Sequence, residues 1–298
     1  MIEVVEPGPL TTIQDGGRFG WGHLGVPVAG PADWLSHTLA NRLVGNSDAA
    51  AALEVTLRGP TLRFLSAVTL AVVGAPVWID DTEVSTGRSL IVESGQTVRI
   101  GTATGVRAYV AVAGGLQIEP TLGSRATDTL AGLGSGRLRA GTEISTVDCR
   151  VEPRILNHAR LPDRGGIVRV VPGPRADWFT DASVRMFYAK PYTARPDSDR
   201  TGMRLAGPLL VRSRKEELPT EGMATGAIQV PPAGAPIVLL ANHGTTGGYP
   251  VIGVVARADL PVIGQLRPGQ GVHFVPVDRT AAVTAYAELL RSVAGSIR

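Results

Sequence analysis

The sequence predicts a mainly β protein with a few short helices, arranged as two similar β-rich domains. Three observations carry this. First, 37 glycines and 22 prolines are spread along the 298 residues, which favours many short elements and tight turns over long helices. Hydrophobic residues make up 44% of the chain and charged residues 18%, so it can bury a sizeable core and is not disordered. Second, the apolar runs are short, β-branched and bounded by Gly, Pro or Asn. Third, four segments of the first half recur, in the same order, in the second half.

The runs that read as strands include Thr97 to Ile100, Arg107 to Val112, Ile167 to Val171, Ile237 to Leu240 and Val251 to Val255. A helix is expected over Pro31 to Val44, with Leu35, Leu39 and Leu43 on one face, Pro31 as a starter and Gly45-Asn46 as a stop. A second short helix is expected to begin at Ser47 or Asp48, and one or two turns within Ala176 to Phe187. Asp278 to Val293 reads as a further helix, capped by Asp278, with Tyr286, Leu289, Leu290 and Val293 as its stripe.

The recurring segments are Pro7-Gly8-Pro9 with Pro172-Gly173-Pro174, Leu57 to Leu62 with Leu205 to Leu210, Leu90 to Ile100 with Ile228 to Val238, and Leu138 to Gly141 with Leu266 to Gly269. Their offset shrinks from roughly 165 to roughly 128 residues, as insertions in a first copy would cause. Duplication therefore predicts two domains of equal strand order, residues 1–163 and 164–298, joined near the turn-rich stretch Pro162 to Gly166.

Composition excludes several classes. The net charge is +3 and no basic run appears, so neither nucleic acid nor a membrane surface is an expected partner. A single cysteine, Cys149, rules out an intrachain disulfide and a Cys-based zinc site. The five histidines, His23, His37, His158, His243 and His273, do not pair at metal-ligand spacing, so no metal is expected. The start, MIEVVEPGPL, has no basic region before an apolar stretch and does not read as a secretory signal. The most apolar stretch, Phe64 to Ile79, is broken by Ser66, Thr69, Gly74 and Pro76 and reads as buried strands. A cytoplasmic location is the expectation. There is no phosphate-binding lysine loop and no Gly-x-Ser-x-Gly elbow, and Gly132-Leu133-Gly134-Ser135-Gly136 reads as a loop because it opens no helix.

Three segments are too polar and glycine-rich for ordinary core. Gln14, Asp15 and Arg18, followed by Gly25 to Asp33, place two carboxylates, an amide and a guanidinium on loops that lead into a helix. These are either substrate contacts or a turn with an Asp–Arg pair and an N-cap at Asp33. Asp197 to Arg204 alternates acids and arginines, so Arg200 either clamps a carboxylate or sits on a solvated loop. The third segment runs from Gly226 through Gln229 to Pro232, then from Asn242 to Pro250. Gln229 and Asn242 offer paired donors and acceptors for an amide or ureido group, and His243 can move a proton near neutral pH. Thr245, Thr246, Gly247, Gly248 and Tyr249 complete the loop, whose glycines permit close backbone approach to a ligand. A capped turn with a satisfied histidine is the alternative. Ile228 facing inward would turn Gln229 outward, toward the loop that follows the next strand.

These segments, with Gly114-Gly115-Leu116 through Leu122 to Asp128, Gly173-Pro174, Arg204 to Gly207 and Glu221-Gly222, resemble one family over nearly the whole chain. It is the biotin-dependent carboxyltransferase-type family, also labelled allophanate hydrolase subunit 2, which includes the KipI antagonist KipA and the C subunit of bacterial 5-oxoprolinase. The resemblance implies tandem cyclophilin-like β-barrel domains. It implies a KipI-like allophanate hydrolase subunit 1 as partner, in a 2:2 heterotetramer, and a hydrolase or carboxyltransferase acting on a small amide, lactam or urea-like substrate. ATP-dependent opening of 5-oxoproline is one such reaction, and carboxyl transfer is another. The alternative is a non-catalytic protein that binds a KipI-like sensor-kinase inhibitor. No cofactor is expected to be attached covalently, since neither Lys190, before a proline, nor Lys215, in Arg-Lys-Glu-Glu, sits in a biotin-acceptor motif. ATP or carboxybiotin would come through partner subunits. Neither lysine has an amidase setting either, so the hydrolase label looks inherited from gene neighbourhood. This chain departs from the family at Asn242, where an aspartate is common, at Gly244, where Gln or Pro is usual, and at Thr220, where Ser is common.

Overall fold

The computed structural model describes residues 1–147, 149, 151–157, 166–214 and 216–297. Pro162, Asp163, Arg164 and Gly165 of the expected linker lie outside the described residues, as do His158 and Lys215. The chain divides into two compact units, Met1–Gly20 with Val28–Leu161 and Ser292–Arg298, and Trp21–Pro27 with Pro162–Arg291.

The first unit contains β1 (Ile2–Glu6), β2 (Leu10–Gln14), α1 (Trp34–Leu43), β3 (Ala52–Arg58), β4 (Thr61–Phe64), β5 (Val68–Val73), β6 (Val77–Ile79) and β7 (Thr82–Val84). It continues with β8 (Ser89–Val92), β9 (Thr97–Ile100), β10 (Thr102–Val112), β11 (Leu116–Gln117) and β12 (Glu143–Thr146). Seven strands form one sheet in the order β11-β12-β1-β4-β9-β6-β7, and five form a second, β2-β3-β10-β5-β8. Alternate residues of both sheets face a shared core that includes Ile2, Val4, Leu53, Val55, Leu70, Val98 and Val110. The long β10 is buried over Arg107–Val112 because it is the middle strand of its sheet, paired with β3 and β5.

The second unit contains β13 (Ile167–Pro172), α2 (Asp181–Ala189), β14 (Tyr192–Ala194), β15 (Gly202–Ala206), β16 (Glu221–Gly222), β17 (Ala227–Gln229) and β18 (Ile237–Leu239). Then follow β19 (Thr246–Gly247), β20 (Val251–Val255), α3 (Leu260–Gln265), β21 (Gly271–Pro276) and α4 (Arg279–Ala294). Seven of these strands close a barrel, β13-β20-β17-β18-β15-β14-β21. Ile228, Val238, Leu205, Tyr192 and Phe274 point into it, with Phe187 of α2 stacked on Phe274 at 4.9 Å between ring centroids. The short β16 and β19 pair with each other outside the barrel. The mainly β architecture with a few short helices is the expected one, and among the described residues no helix is long and apolar enough to cross a membrane.

Three local expectations are corrected. The helix expected from Pro31 begins at Trp34, because Asp33 takes the N-cap and its Oδ1 accepts from the N–H groups of Leu35 and Ser36, both at 3.0 Å. No helix starts at Ser47 or Asp48. Asp48 instead accepts two hydrogen bonds from Arg42, at 2.6 and 2.7 Å, and residues 48–50 form a turn. The duplication is not reproduced in strand order. β17 and β18 are barrel neighbours, whereas the echoed β8 and β9 lie in different sheets. The last strand of the first unit, β12, runs antiparallel to β1, while β21 runs parallel to β13. The echoed glycines meet unlike surroundings: a Cβ on Gly59 would lie 2.4 Å from Ile100, and one on Gly207 2.6 Å from the Tyr192 ring.

Candidate active site

The polar residues singled out in the sequence fall into two groups, one in each unit. In the first, Gln14 ends β2 fully buried, and its Nε2 donates to Thr12 Oγ1 and to the Thr127 carbonyl, both at 3.0 Å. Asp15 organises a turn. Its Oδ1 accepts from Gly17 N–H and from the Ser124 hydroxyl at 2.6 Å, and its Oδ2 accepts from Arg125 N–H. Arg18 is buried and donates to the carbonyls of Thr121 and Ala126, each at 2.8 Å. Asp33 caps α1. Asp15 and Asp33 therefore have their carboxylates engaged by the fold, whereas Arg18 Nη1 and Gln14 Oε1 are buried with no hydrogen-bond partner.

A network that the sequence reading missed stands beside Asp33. Glu54 of β3 lies in the buried interior, 3.4 Å from Arg107 Nε, and its Oε2 accepts from the Tyr109 hydroxyl at 2.7 Å and from Ala32 N–H at 2.9 Å. The Tyr109 oxygen in turn accepts from Asp33 N–H at 2.9 Å. Complete burial and the neighbouring Glu54 carboxylate hold the Tyr109 phenol far above its usual pKa, so it is a neutral donor. His37 of α1 reaches the Gln14 carbonyl through Nε2, at 3.1 Å, and burial holds its pKa below 6.5. The signal for this network was an acid, Glu54, between the apolar Leu53 and Val55 of β3.

In the second unit the hairpin expected between Gln229 and Leu240 is present. β17 and β18 pair antiparallel with Ile228 opposite Val238 and Gln229 opposite Ile237. Ile228 enters the barrel core, and Gln229 faces outward with Ala227 and Leu239. A cavity of about 190 Å³ lies there, lined by Gln229, His243, Gly244, Tyr249, Thr201 and Arg204 among others. Gln229 and His243 thus share one pocket. Gln229 is braced by Met223, whose sulfur lies 3.2 Å from Nε2. It is also braced by Gly247, where a Cβ would stand 2.4 Å from Nε2.

Asn242 sits behind the pocket. Its Oδ1 accepts from Arg200 Nε at 3.2 Å and Nη2 at 3.0 Å, and its N–H donates to the Arg200 carbonyl at 2.9 Å. Asn242 and Arg200 are both buried and do not line the cavity. Thr245 accepts from Met223 N–H through its carbonyl, at 2.9 Å, and Thr246 and Gly247 form β19. Gly248 has open space around it apart from the Leu218 carbonyl. Tyr249 closes one side of the pocket, with the Arg212 guanidinium 6.0 Å from its ring centroid.

The His243 ring is fixed at both nitrogens. Nδ1 lies 2.7 Å from the Gly244 carbonyl, which can only accept, so Nδ1 carries the proton. Nε2 then holds the lone pair and accepts from the Thr225 hydroxyl at 3.1 Å. Burial lowers the His243 pKa below 6.5, with the Gly244 carbonyl opposing the shift, so the ring is a neutral base at pH 7. Arg204 belongs to the Asp197 to Arg204 segment, in which Arg200 was the residue singled out; Thr225, which touches His243 but does not line the cavity, was not anticipated. Arg204 lies in the Arg204 to Gly207 motif, whereas a lone threonine before a glycine carries no signal.

Among the described residues no three His, Cys, Asp or Glu side chains gather as a metal site. The pocket therefore offers an amide, an imidazole, a hydroxyl and a guanidinium, which suits recognition of a small polar molecule and movement of a proton.

Comparison with known proteins identifies the family of the chain. Residues 24–276 match the carboxyltransferase domain, subdomain A and B. The C subunit of the Escherichia coli K12 5-oxoprolinase is 36% identical over 291 residues, covering 96% of this chain and 94% of that protein. The urea amidolyase of Saccharomyces cerevisiae is 33% identical over 306 residues, which cover 93% of this chain and 16% of that protein. The solved Kluyveromyces lactis urea amidolyase superposes with a TM-score of 0.91 at 29% identity, over 98% of this chain and 20% of that one. A domain match over most of the sequence, joined to relatives above 30% identity along nearly its full length, establishes that the chain belongs to the carboxyltransferase domain family, subdomain A and B.

Proposed function

We propose that this chain is one component of a multisubunit enzyme that acts on a small amide, lactam or urea-like substrate. The observation that carries the reading is the convergence of Gln229 and His243 on one cavity of about 190 Å³. That volume lies below the roughly 300–1,000 Å³ of pockets for drug-sized ligands, and it suits a lactam or a urea. Gln229 would pair with the substrate amide, one group donating and one accepting at each end. Arg204, whose guanidinium makes a loose 3.9 Å contact with Asp197, would attract a substrate carboxylate. Asp197 itself is engaged more closely by Arg195, at 2.9 and 3.1 Å.

The relatives named for 5-oxoprolinase and urea amidolyase support this substrate class. A lactam bearing a carboxylate fits Gln229 and Arg204 together. The sequence carries no phosphate-binding lysine loop, so ATP or carboxybiotin would reach the reaction from partner subunits of the KipI-like type, in a 2:2 assembly. Such a group would supply the activated phosphoryl or carboxyl that makes an amide reactive. This chain would hold and orient the amide.

The test is turnover by the co-purified complex of 5-oxoproline and of urea, each with and without ATP. ATP-dependent loss of 5-oxoproline that vanishes without this chain is the expected result. A stable complex that turns over neither compound, and whose Gln229→Ala variant binds both as the wild type does, would overturn it and favour a regulatory role.

A further inference from the structure

We propose that Met223 is a positioning residue that fixes the Gln229 amide so that the pocket reads a cis amide edge, the edge of a lactam or a urea; this rests on the reading of the pocket given above. Gln229 lines the cavity, and its Nε2 donates one N–H to the Met223 sulfur at 3.2 Å. Turning the amide over would set Oε1 against that sulfur, lone pair against lone pair, so the contact fixes which way the amide points. What remains on Gln229 for a ligand is Oε1, to which no group among the described residues donates, and the second N–H. With Met223 taking the N–H that points away from Oε1, these two lie side by side on one edge. A lactam or a urea presents a C=O and an N–H on one edge and can meet both. An open-chain secondary amide is trans, with the two groups on opposite edges, and can meet only one.

Met223 is itself held in place by the small ladder outside the barrel. β16 and β19 pair with Glu221 opposite Gly247 and Gly222 opposite Thr246, and Met223 N–H donates to the Thr245 carbonyl at 2.9 Å. A Cβ on Gly247 would stand 2.4 Å from Gln229 Nε2 and 3.2 Å from Met223 Cγ, so glycine there lets the sulfur and the amide meet. Glu221 anchors the ladder through its ion pair with Arg175. Arg175 N–H donates in turn to the Val251 carbonyl at the start of β20, at 3.3 Å, and Gly173 N–H donates to the Ile252 carbonyl at 2.9 Å. The Gly173-Pro174 and Glu221-Gly222 motifs, which the substrate contacts leave unused, thus meet through this ion pair and hold the sulfur against Gln229.

The experiment measures, by calorimetry on the co-purified complex, the binding of 5-oxoproline and of its open-chain counterpart N-acetylalanine. Both carry a secondary amide and a carboxylate on the carbon next to nitrogen, so Arg204 can serve both, and only the first has a cis amide. The wild type is expected to bind 5-oxoproline about 10-fold more tightly, the worth of one further hydrogen bond. Met223→Leu conserves volume and removes the acceptor, so it should bring the ratio within about threefold by weakening 5-oxoproline alone. Met223→Gln, whose side-chain carbonyl restores an acceptor, should keep most of the wild-type ratio. A merely structural Met223 gives a different result: Met223→Leu then weakens both compounds together and leaves the ratio at its wild-type value, which overturns the proposal. A wild type that binds the two compounds equally overturns it as well. Failure of the pocket reading looks different again: 5-oxoproline then does not bind the wild type, or binds Gln229→Ala with unchanged affinity.

Discussion

Asn242 Oδ1 receives both Nε and Nη2 of Arg200, so a neutral amide anchors a buried guanidinium. The pair ties the segment before β15 to the turn after β18. Asn242→Ala removes a hydrogen-bond acceptor from a charged, buried group and is expected to cost about 1.5–3 kcal/mol of stability. Asn242→Asp keeps the geometry and adds charge, so its urea midpoint should equal or exceed that of the wild type. A lower midpoint for the aspartate variant would contradict this account.

Gln229 and Gly247 form a second coupled pair. Gln229→Ala should weaken binding or turnover of the small amide by about 1–3 kcal/mol and leave folding and partner binding intact. Gly247→Ala should have the same effect by a different route, because its Cβ would stand 2.4 Å from Gln229 Nε2 and displace the amide. Combining the two should add little beyond either alone. Additive losses in a double-mutant cycle would show that Gly247 acts elsewhere.

Asp33 and Tyr109 should behave as structural residues. Asp33→Ala removes the cap of α1 and is expected to cost about 1 kcal/mol. Tyr109→Phe strips one partner from both Asp33 N–H and Glu54, with an expected cost of about 1–3 kcal/mol. Neither should change KM for the small amide at temperatures where the variants are folded. A large rise in KM for Asp33→Ala, without loss of stability, would return Asp33 to the substrate contacts.

Two buried histidines set a pH dependence. His37 and His243 both have folded pKa values below 6.5, burial being the main cause. The unfolded chain therefore binds protons first as pH falls below 6.5, and stability should decline with falling pH in that window. Carboxylates held below their usual range, such as Asp48 beside Arg42 and Glu221 beside Arg175, add their loss only at lower pH. Urea midpoints measured at about pH 7.5 and 5.5 check this, and His243→Gln should reduce the difference. A midpoint that rises toward acid would refute the sign.

The sequence by itself determined the strands, the class and the family. Runs such as Ile167 to Val171 and Val251 to Val255 have one stable use, because β-branched residues between glycine and proline turns cannot continue a helix. It also determined that Ile228 and Gln229 take opposite faces, since side chains alternate along a strand. The equal strand order of two copies was not legible, because Gly-Pro turns recur wherever backbones pass closely, and local chemistry does not say which strand comes next. Only the tertiary structure decided which polar residues meet. Asp15, Arg18 and Asn242 carry the side chains of a binding site, yet Ser124, Thr121 and Arg200 tie them into the fold, with Arg18 Nη1 left buried without a partner. His243 gained an exposed partner in Thr225, eighteen residues away in the chain. Hydrogen bonds between residues far apart in the chain depend on the closure of sheets and barrel, and no spacing in the sequence encodes that closure.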